Sequence, residues 1–136
     1  MIKKKSISLV KKQKIFVVQK HNASHLHYDF RLEMNRVLKS WAVPKEPPKT
    51  KNVKRLAIQV EDHPLSYAKF EGEISEGSYG AGKVEIWDHG TYELIKKEPK
   101  EIEFKLKGKK MKGKYVLIKT NYGTKPEKSW LLFKVD

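Results

Sequence analysis

The sequence predicts an all-β protein, mainly antiparallel: a compact β-barrel of about eight strands with short helical turns. Three observations predict it. Apolar and polar residues alternate over short stretches, most cleanly in Glu101-Ile102-Glu103-Phe104-Lys105-Leu106-Lys107. Glycine, proline and Asp-His-Gly punctuation separates these stretches at close spacing, the pattern of many short strands. No long stretch carries the period of an amphipathic helix.

In chain order, residues 1–14 read as a flexible basic arm, rich in lysine and free of acid. Residues 15–136 form one domain without internal repeats. Its expected strands are 15–20, 28–33, 37–43, 55–61, 83–88, 91–95, 101–107, 114–119 and 130–135. Helical turns are expected at Asn22 to Leu26 and at 65–70. Pro44, Pro47 and Pro48 make 44–54 an irregular, exposed connection. Gly72, Gly77, Gly80 and Gly82 make 71–82 a loop, with Tyr79 inside it. Asp88-His89-Gly90, Gly108 and Gly113 read as turns between neighbouring strands. A small barrel needs large fillers, so most of the aromatics, Trp41, Trp87 and Trp130 among them, are assigned to the core.

Composition narrows the function. The chain has 136 residues, 38% of them hydrophobic, which suffices for one modest core. Its 30 basic and 16 acidic residues give a net charge of +14. Such an excess points to a polyanionic partner, most simply nucleic acid. The imbalance is uneven. Residues 1–28 hold seven lysines and no acid, and a second basic run covers Lys105 to Lys114. Both runs suit salt-sensitive contacts with a phosphate backbone. Cysteine is absent, which excludes disulfides, zinc fingers and thiol nucleophiles. No apolar run approaches the roughly 20 residues of a membrane span. Lys11, Lys12 and Lys14 interrupt any signal-peptide core. A monomeric, cytoplasmic protein is expected.

Three expected strands carry polar residues in phase, because side chains two apart on a strand share a face. The first brings Gln19 and His21; the second brings His27, Asp29 and Arg31; the third brings Arg55, Glu61 and His63. Leu56, Ile58 and Val60 would point the other way. Two histidines and an aspartate suit a divalent ion: imidazole fits several transition metals and carboxylate fits harder ones such as manganese. Arg31 is one of only three arginines, and its planar fork matches phosphate. A salt bridge from Arg31 to Glu33 or Glu61 is the plainer alternative. His63 could donate to phosphate or act as a general acid. Glu61 could orient a ligand histidine, and Tyr67 could donate a hydrogen bond. His25 is out of phase and is assigned a structural or exposed place. No phosphate-binding Gly-rich loop ending in Lys and Ser or Thr is present.

Read together, these segments resemble a known family. Phe16-Val17-Val18-Gln19-Lys20-His21-Asn22-Ala23-Ser24-His25-Leu26-His27-Tyr28-Asp29-Phe30-Arg31-Leu32-Glu33 is similar to the signature of the 3′-phosphoesterase domain of bacterial DNA ligase D. The similarity continues through Leu38 to Lys45, Glu61 to Tyr67, Phe70-Glu71-Gly72, Gly77 to Gly82 and Trp87-Asp88-His89-Gly90. It is dense over about 16–95 and looser beyond.

The resemblance implies a compact β-barrel and a manganese-dependent enzyme that heals 3′ ends during end-joining repair in a prokaryotic cell. Cobalt or zinc could stand in for manganese. The substrate implied is a DNA primer–template or duplex ending in a 3′-ribonucleotide or a 3′-phosphate. By the same resemblance His21, His27 and Asp29 are metal ligands, and Arg31, His63 and Tyr67 contact the scissile phosphate. Gln19, Lys45, Arg55 and Glu61 match supporting positions. One departure stands out: the family often begins with an acidic, arginine-containing segment, whereas residues 1–14 hold neither. No Lys-x-Asp-Gly ligase motif occurs, so any ligase or polymerase is expected to act in trans. The competing class is a non-catalytic nucleic-acid-binding barrel around a structural metal. Structural sites usually close with four protein ligands, and three candidates are visible here.

Overall fold

The computed structural model describes residues 13–78 and 81–136. Residues 1–12 of the expected arm, and Tyr79 and Gly80 of the expected loop, lie outside the described residues. The strands are β1 (Lys14–Asn22), β2 (Leu26–Met34), β3 (Val37–Val43), β4 (Lys54–Pro64), β5 (Gly72–Ile74), β6 (Gly82–Glu98), β7 (Glu101–Lys107), β8 (Lys112–Lys119) and β9 (Ser129–Lys134). Two 3₁₀ turns, Leu65–Lys69 and Pro126–Lys128, interrupt them.

Every strand pairs antiparallel with its neighbours, in the order β1-β2-β3-β4-β9-β8-β7-β6. A β1–β6 pairing closes this ring, and β5 adds to the free part of β6. The result is an eight-stranded closed barrel with one short extra strand. Closure leaves no edge strand within the ring, which removes a route to aggregation.

Alternation explains which residues fill the barrel. Phe16 and Val18 of β1, Tyr28, Phe30 and Leu32 of β2, and Trp41 and Val43 of β3 join one buried cluster. Trp130, Phe104 and Tyr115 complete it, and Trp87 packs against it while remaining partly exposed. Burying a large apolar side chain stabilises by about 1.5–3 kcal/mol. The intervening residues Val17, Gln19 and His21 lie on the outer face, yet they too are buried. The Leu65–Lys69 turn and the residues after it cover this part of the wall, packing against β3 and β4.

Several local expectations are corrected. Asn22 to Leu26 forms no helical turn. Asn22 and Leu26 are themselves paired, and residues 23–25 bend between them. Second, 83–88 and 91–95 belong to one continuous strand, so Asp88-His89-Gly90 is not a turn. Gly90 serves close approach instead: a Cβ there would collide with the Lys107 carbonyl of β7. Third, part of the expected 71–82 loop is strand β5. Gly113 also lies inside β8, whereas Gly108 does fall between β7 and β8. β1 takes in Lys14, the last residue of the expected arm.

Asp88 has a structural explanation. Its carboxylate accepts backbone N–H groups from His89 (3.0 Å), Lys109 (2.9 Å), Lys110 (3.1 Å) and Met111 (2.8 Å). Three of those four belong to the β7–β8 connection, which is thereby pinned to β6. A Cβ on Gly108 would strike that carboxylate and the Phe16 ring.

Candidate metal and phosphate cleft

The tight β1–β2 connection sets the site. It makes His21 and His27 direct cross-strand partners, with Gln19 opposite Asp29. Cross-strand partners share a face, so the six-residue spacing of the two histidines brings their ring centroids to 4.8 Å. Ring nitrogens of His21 and His27 and a carboxylate oxygen of Asp29 all lie within 4.8 Å of one another.

The donor set fits a cation. His27 Nδ1 contacts the His25 carbonyl at 3.2 Å. A carbonyl can only accept, so Nδ1 carries the proton and neutral His27 turns a bare Nε2 toward Asp29. That Nε2 stands 3.2 Å from Asp29 Oδ2. Two lone pairs at this separation need a proton or a cation between them. Asp29 supplies the proton version by raising the pKa of His27. His21 Nδ1 lies 3.8 Å from the same oxygen, and its Nε2 is buried without a hydrogen-bond partner. Residue His25 is exposed, but its carbonyl orients a ligand candidate.

Arg31 sits beside this set, 3% exposed. Its Nε donates to Gln19 Oε1 at 2.7 Å and its Nη1 to Ser40 Oγ at 2.8 Å. Nη2 is 3.5 Å from Asp29 Oδ2, and the guanidinium carbon lies 5.0 Å from the centre of the Tyr67 ring. The ion-pair partner of Arg31 is therefore Asp29, not Glu33 or Glu61. Burial pulls the Arg31 pKa down, and Asp29 opposes the shift. The side chain keeps its charge, since arginine does not deprotonate in proteins.

Gln19 is fully buried and holds two elements together. Besides receiving Arg31, its amide donates to the carbonyls of Tyr67 (2.8 Å) and Phe70 (3.2 Å). Tyr67 is fixed further by stacking on Phe70, ring centroids 5.0 Å apart. Burial raises the Tyr67 pKa, so the hydroxyl stays a donor. His63 packs on the Tyr67 ring at 4.8 Å. Its Nδ1 lies between Arg31 Nη1 at 3.1 Å and the Glu61 carbonyl at 3.2 Å. Burial, then the Arg31 charge, lowers its pKa. Neutral His63 accepts from Arg31 and carries its proton on Nε2.

The third expected face behaves differently. Ala42 opposes Ile58, Trp41 opposes Gln59 and Ser40 opposes Val60; the register then shifts, and Leu38 opposes His63. A bulge of this kind moves the following side chains to the other face. Val60 and His63 consequently both line the cleft, although they are three residues apart. Arg55 keeps the phase of buried Ala57 and does not join them. Its Nε donates to the Glu46 carbonyl at 2.7 Å. Lys45 is exposed after β3 and does not line the cleft. Glu61 lines the cleft but is exposed; its contact with His63 runs through the backbone carbonyl, and no hydrogen bond to a ligand histidine forms among the described residues. Asp62 turns away to Lys39, at 3.1 Å.

Ser40 escaped the sequence reading as a site residue. The available signal was a hydroxyl two residues before Ala42, in a strand whose other face is apolar. Ala23, Ala42, Val60 and Ile74 form an apolar wall that phase alone did not reveal. The whole cleft encloses about 270 Å³.

A closed β-barrel with a metal-capable, arginine-floored cleft on its outer wall is the class that fold and site define. The model of the DNA ligase D 3′-phosphoesterase domain family matches residues 19–119, and the chain belongs to that family. It is 52% identical over 125 residues to the multifunctional non-homologous end joining protein LigD of Pseudomonas aeruginosa, covering 88% of this chain and 15% of that protein. It is 54% identical over 110 residues to the multifunctional non-homologous end joining DNA repair protein LigD of Mycobacterium tuberculosis, covering 78% of this chain and 14% of that protein. The chain thus spans about one-seventh of the length of these relatives. Among the described residues, no helix is long and apolar enough to cross a membrane.

Proposed function

We propose that this chain is a manganese-dependent 3′-end-healing phosphoesterase of end-joining repair. It removes a 3′-terminal ribonucleoside from a primer–template, leaving a 3′-phosphate, and then removes that phosphate to leave a 3′-hydroxyl. The carrying observation is one atom: Asp29 Oδ2 faces His27, His21 and Arg31 together. A cation on the first two and a phosphate oxygen on the third would therefore be neighbours. Family membership supports the substrate class.

In this reading His21, His27 and Asp29 hold the metal. Bound there, the metal would supply Lewis-acid polarisation of a phosphate oxygen. Arg31 grips the phosphate and, with His63, stabilises the charge that develops in the transition state. His63 Nε2 and the Tyr67 hydroxyl are donors to the same group. Gln19 and Ser40 position Arg31. Glu61 supports the site as part of the cleft lining; Arg55 supports the 44–54 segment by its bond to Glu46. Lys45, exposed after β3, meets the nucleic acid. A ligase and a polymerase complete the repair as partners, and the protein works as a cytoplasmic monomer.

The test incubates the full chain with a primer–template ending in one 3′-ribonucleotide or in a 3′-phosphate, with and without manganese. Trimming to a 3′-hydroxyl only with metal is expected. Binding without trimming under either condition would overturn the enzyme reading and leave a nucleic-acid-binding barrel.

A further inference from the structure

The β7–β8 hairpin carries an arrangement that serves no purpose inside the barrel. Its residues 105–114 include six lysines and no acid. Strand register sets Lys105 directly opposite Lys114, and Lys107 directly opposite Lys112. All four are exposed. Like charges directly opposite on a sheet face are destabilising, so two stacked lysine pairs are a cost to folding. The inward residues of the same hairpin, Phe104, Leu106 and Tyr115, are ordinary core.

Nearby acids do not cancel the charge. Glu93 of β6 opposes Lys105 alone. Asp136 accepts the Lys114 backbone N–H and pairs with Lys134. Asp88 is consumed by backbone amides at the hairpin tip. Among the described residues, none of the six lysines forms an ion pair. The ladder is also held rigidly. Asp88 clamps the tip, and Lys110 Nζ rests 4.6 Å from the centre of the Trp87 ring. Lys109, Lys110, Trp87, His89 and Ile86 line a recess beside the tip, together with the carboxylates Glu71 and Asp88. Ile86 is the strand partner of Gln19, which holds Arg31. One strand pair therefore separates this recess from the floor of the cleft.

We propose that the Lys105–Lys114/Lys107–Lys112 ladder is a docking rail for the phosphate backbone of a nucleic-acid duplex, distinct from the cleft that takes its 3′ end. This rests on the end-healing reading above and assigns the duplex stem its own surface. The duplex's phosphate backbone turns the ladder's repulsion into binding, because each lysine then faces an anion and displaces a counterion. The rail contacts phosphates and reads no sequence.

The experiment uses the full chain and a labelled duplex ending in a 3′-hydroxyl, on which neither reaction acts. Anisotropy titrations at several salt concentrations compare wild type with K105Q/K107Q/K112Q/K114Q and with a control, K96Q/K97Q/K100Q, at the far end of β6 and in the turn after it. With about 0.9 of a unit of slope per phosphate contact, the ladder variant should lose roughly three to four units in the plot of log affinity against log salt. The control should lose less than one. The ladder variant should melt no lower than wild type, since it sheds two like-charge pairs. The double variants K105Q/K114Q and K107Q/K112Q should each take about half the loss. An unchanged slope, or an equal loss in the control, overturns the rail. Catalysis on 3′-ribonucleotide ends with an unchanged slope defeats the rail alone; lost slope without catalysis by wild type defeats only the end-healing reading.

Discussion

Gln19→Leu is the perturbation that separates positioning from chemistry. The side chain is fully buried and makes three hydrogen bonds: it accepts from Arg31 Nε at 2.7 Å and donates to the carbonyls of Tyr67 and Phe70. Leucine keeps the approximate volume and removes all three. A hydrogen bond to a charged group is worth about 1.5–3 kcal/mol, and each neutral one about 0.5–1.5 kcal/mol. The sum predicts a loss of roughly 2.5–6 kcal/mol, a large part of the ~5–15 kcal/mol that holds a typical domain. For a chain of this size that is on the order of 10–20 °C in melting temperature. Denaturant titration by circular dichroism measures the stability. Turnover at a temperature where the variant is folded measures the site, and a fall of about 10²–10³ is expected, as for loss of an aligned donor. Gln19→Glu restores an acceptor for Arg31 but donates to neither carbonyl. It should recover part of the activity and little of the stability. A stability loss under about 1 kcal/mol for Gln19→Leu would refute the reasoning.

Other outcomes follow from the same geometry. Asp88→Ala leaves four backbone N–H groups without their acceptor and should cost about 2–5 kcal/mol by denaturant titration, with metal binding at the cleft unchanged in the folded protein. Burial pushes the Tyr92 and Tyr115 pKa values above the ordinary range. The folded state therefore holds these protons more tightly than the unfolded state. Stability is complete below about pH 10 and falls as pH rises past that unfolded value. A melting-temperature series from pH 8 to 12 should show the decline, and Tyr92→Phe should flatten it.

How far the site could be read in advance depended on strand regularity. In β1 and β2 the alternation is unbroken, so Gln19, His21, His27, Asp29 and Arg31 share the predicted face and meet. In β4 the register shift after Val60 breaks the same rule: Val60, ahead of it, shares the wall with Ala42, His63, beyond it, enters the same cleft, and Arg55 keeps the opposite phase outside. Nothing in residues 55–63 marks that bulge, because it arises from how β4 fits β3 around the barrel. β6 was divided at Asp88-His89-Gly90 because aspartate and glycine usually signal turns. Here both answer a neighbouring hairpin, Asp88 by binding its amides and Gly90 by admitting its carbonyl. Ser40 was invisible for a similar reason: its role exists only once β3 lies beside Arg31.

If Asp29 joins a metal to Arg31, its carboxylate is needed for both metal binding and trimming. The most direct measurement is manganese binding by electron paramagnetic resonance, together with trimming of a 3′-ribonucleotide end, for wild type and Asp29→Asn. Wild type should bind manganese and trim, and a folded Asp29→Asn protein should do neither. Full manganese-dependent trimming by Asp29→Asn would contradict that requirement.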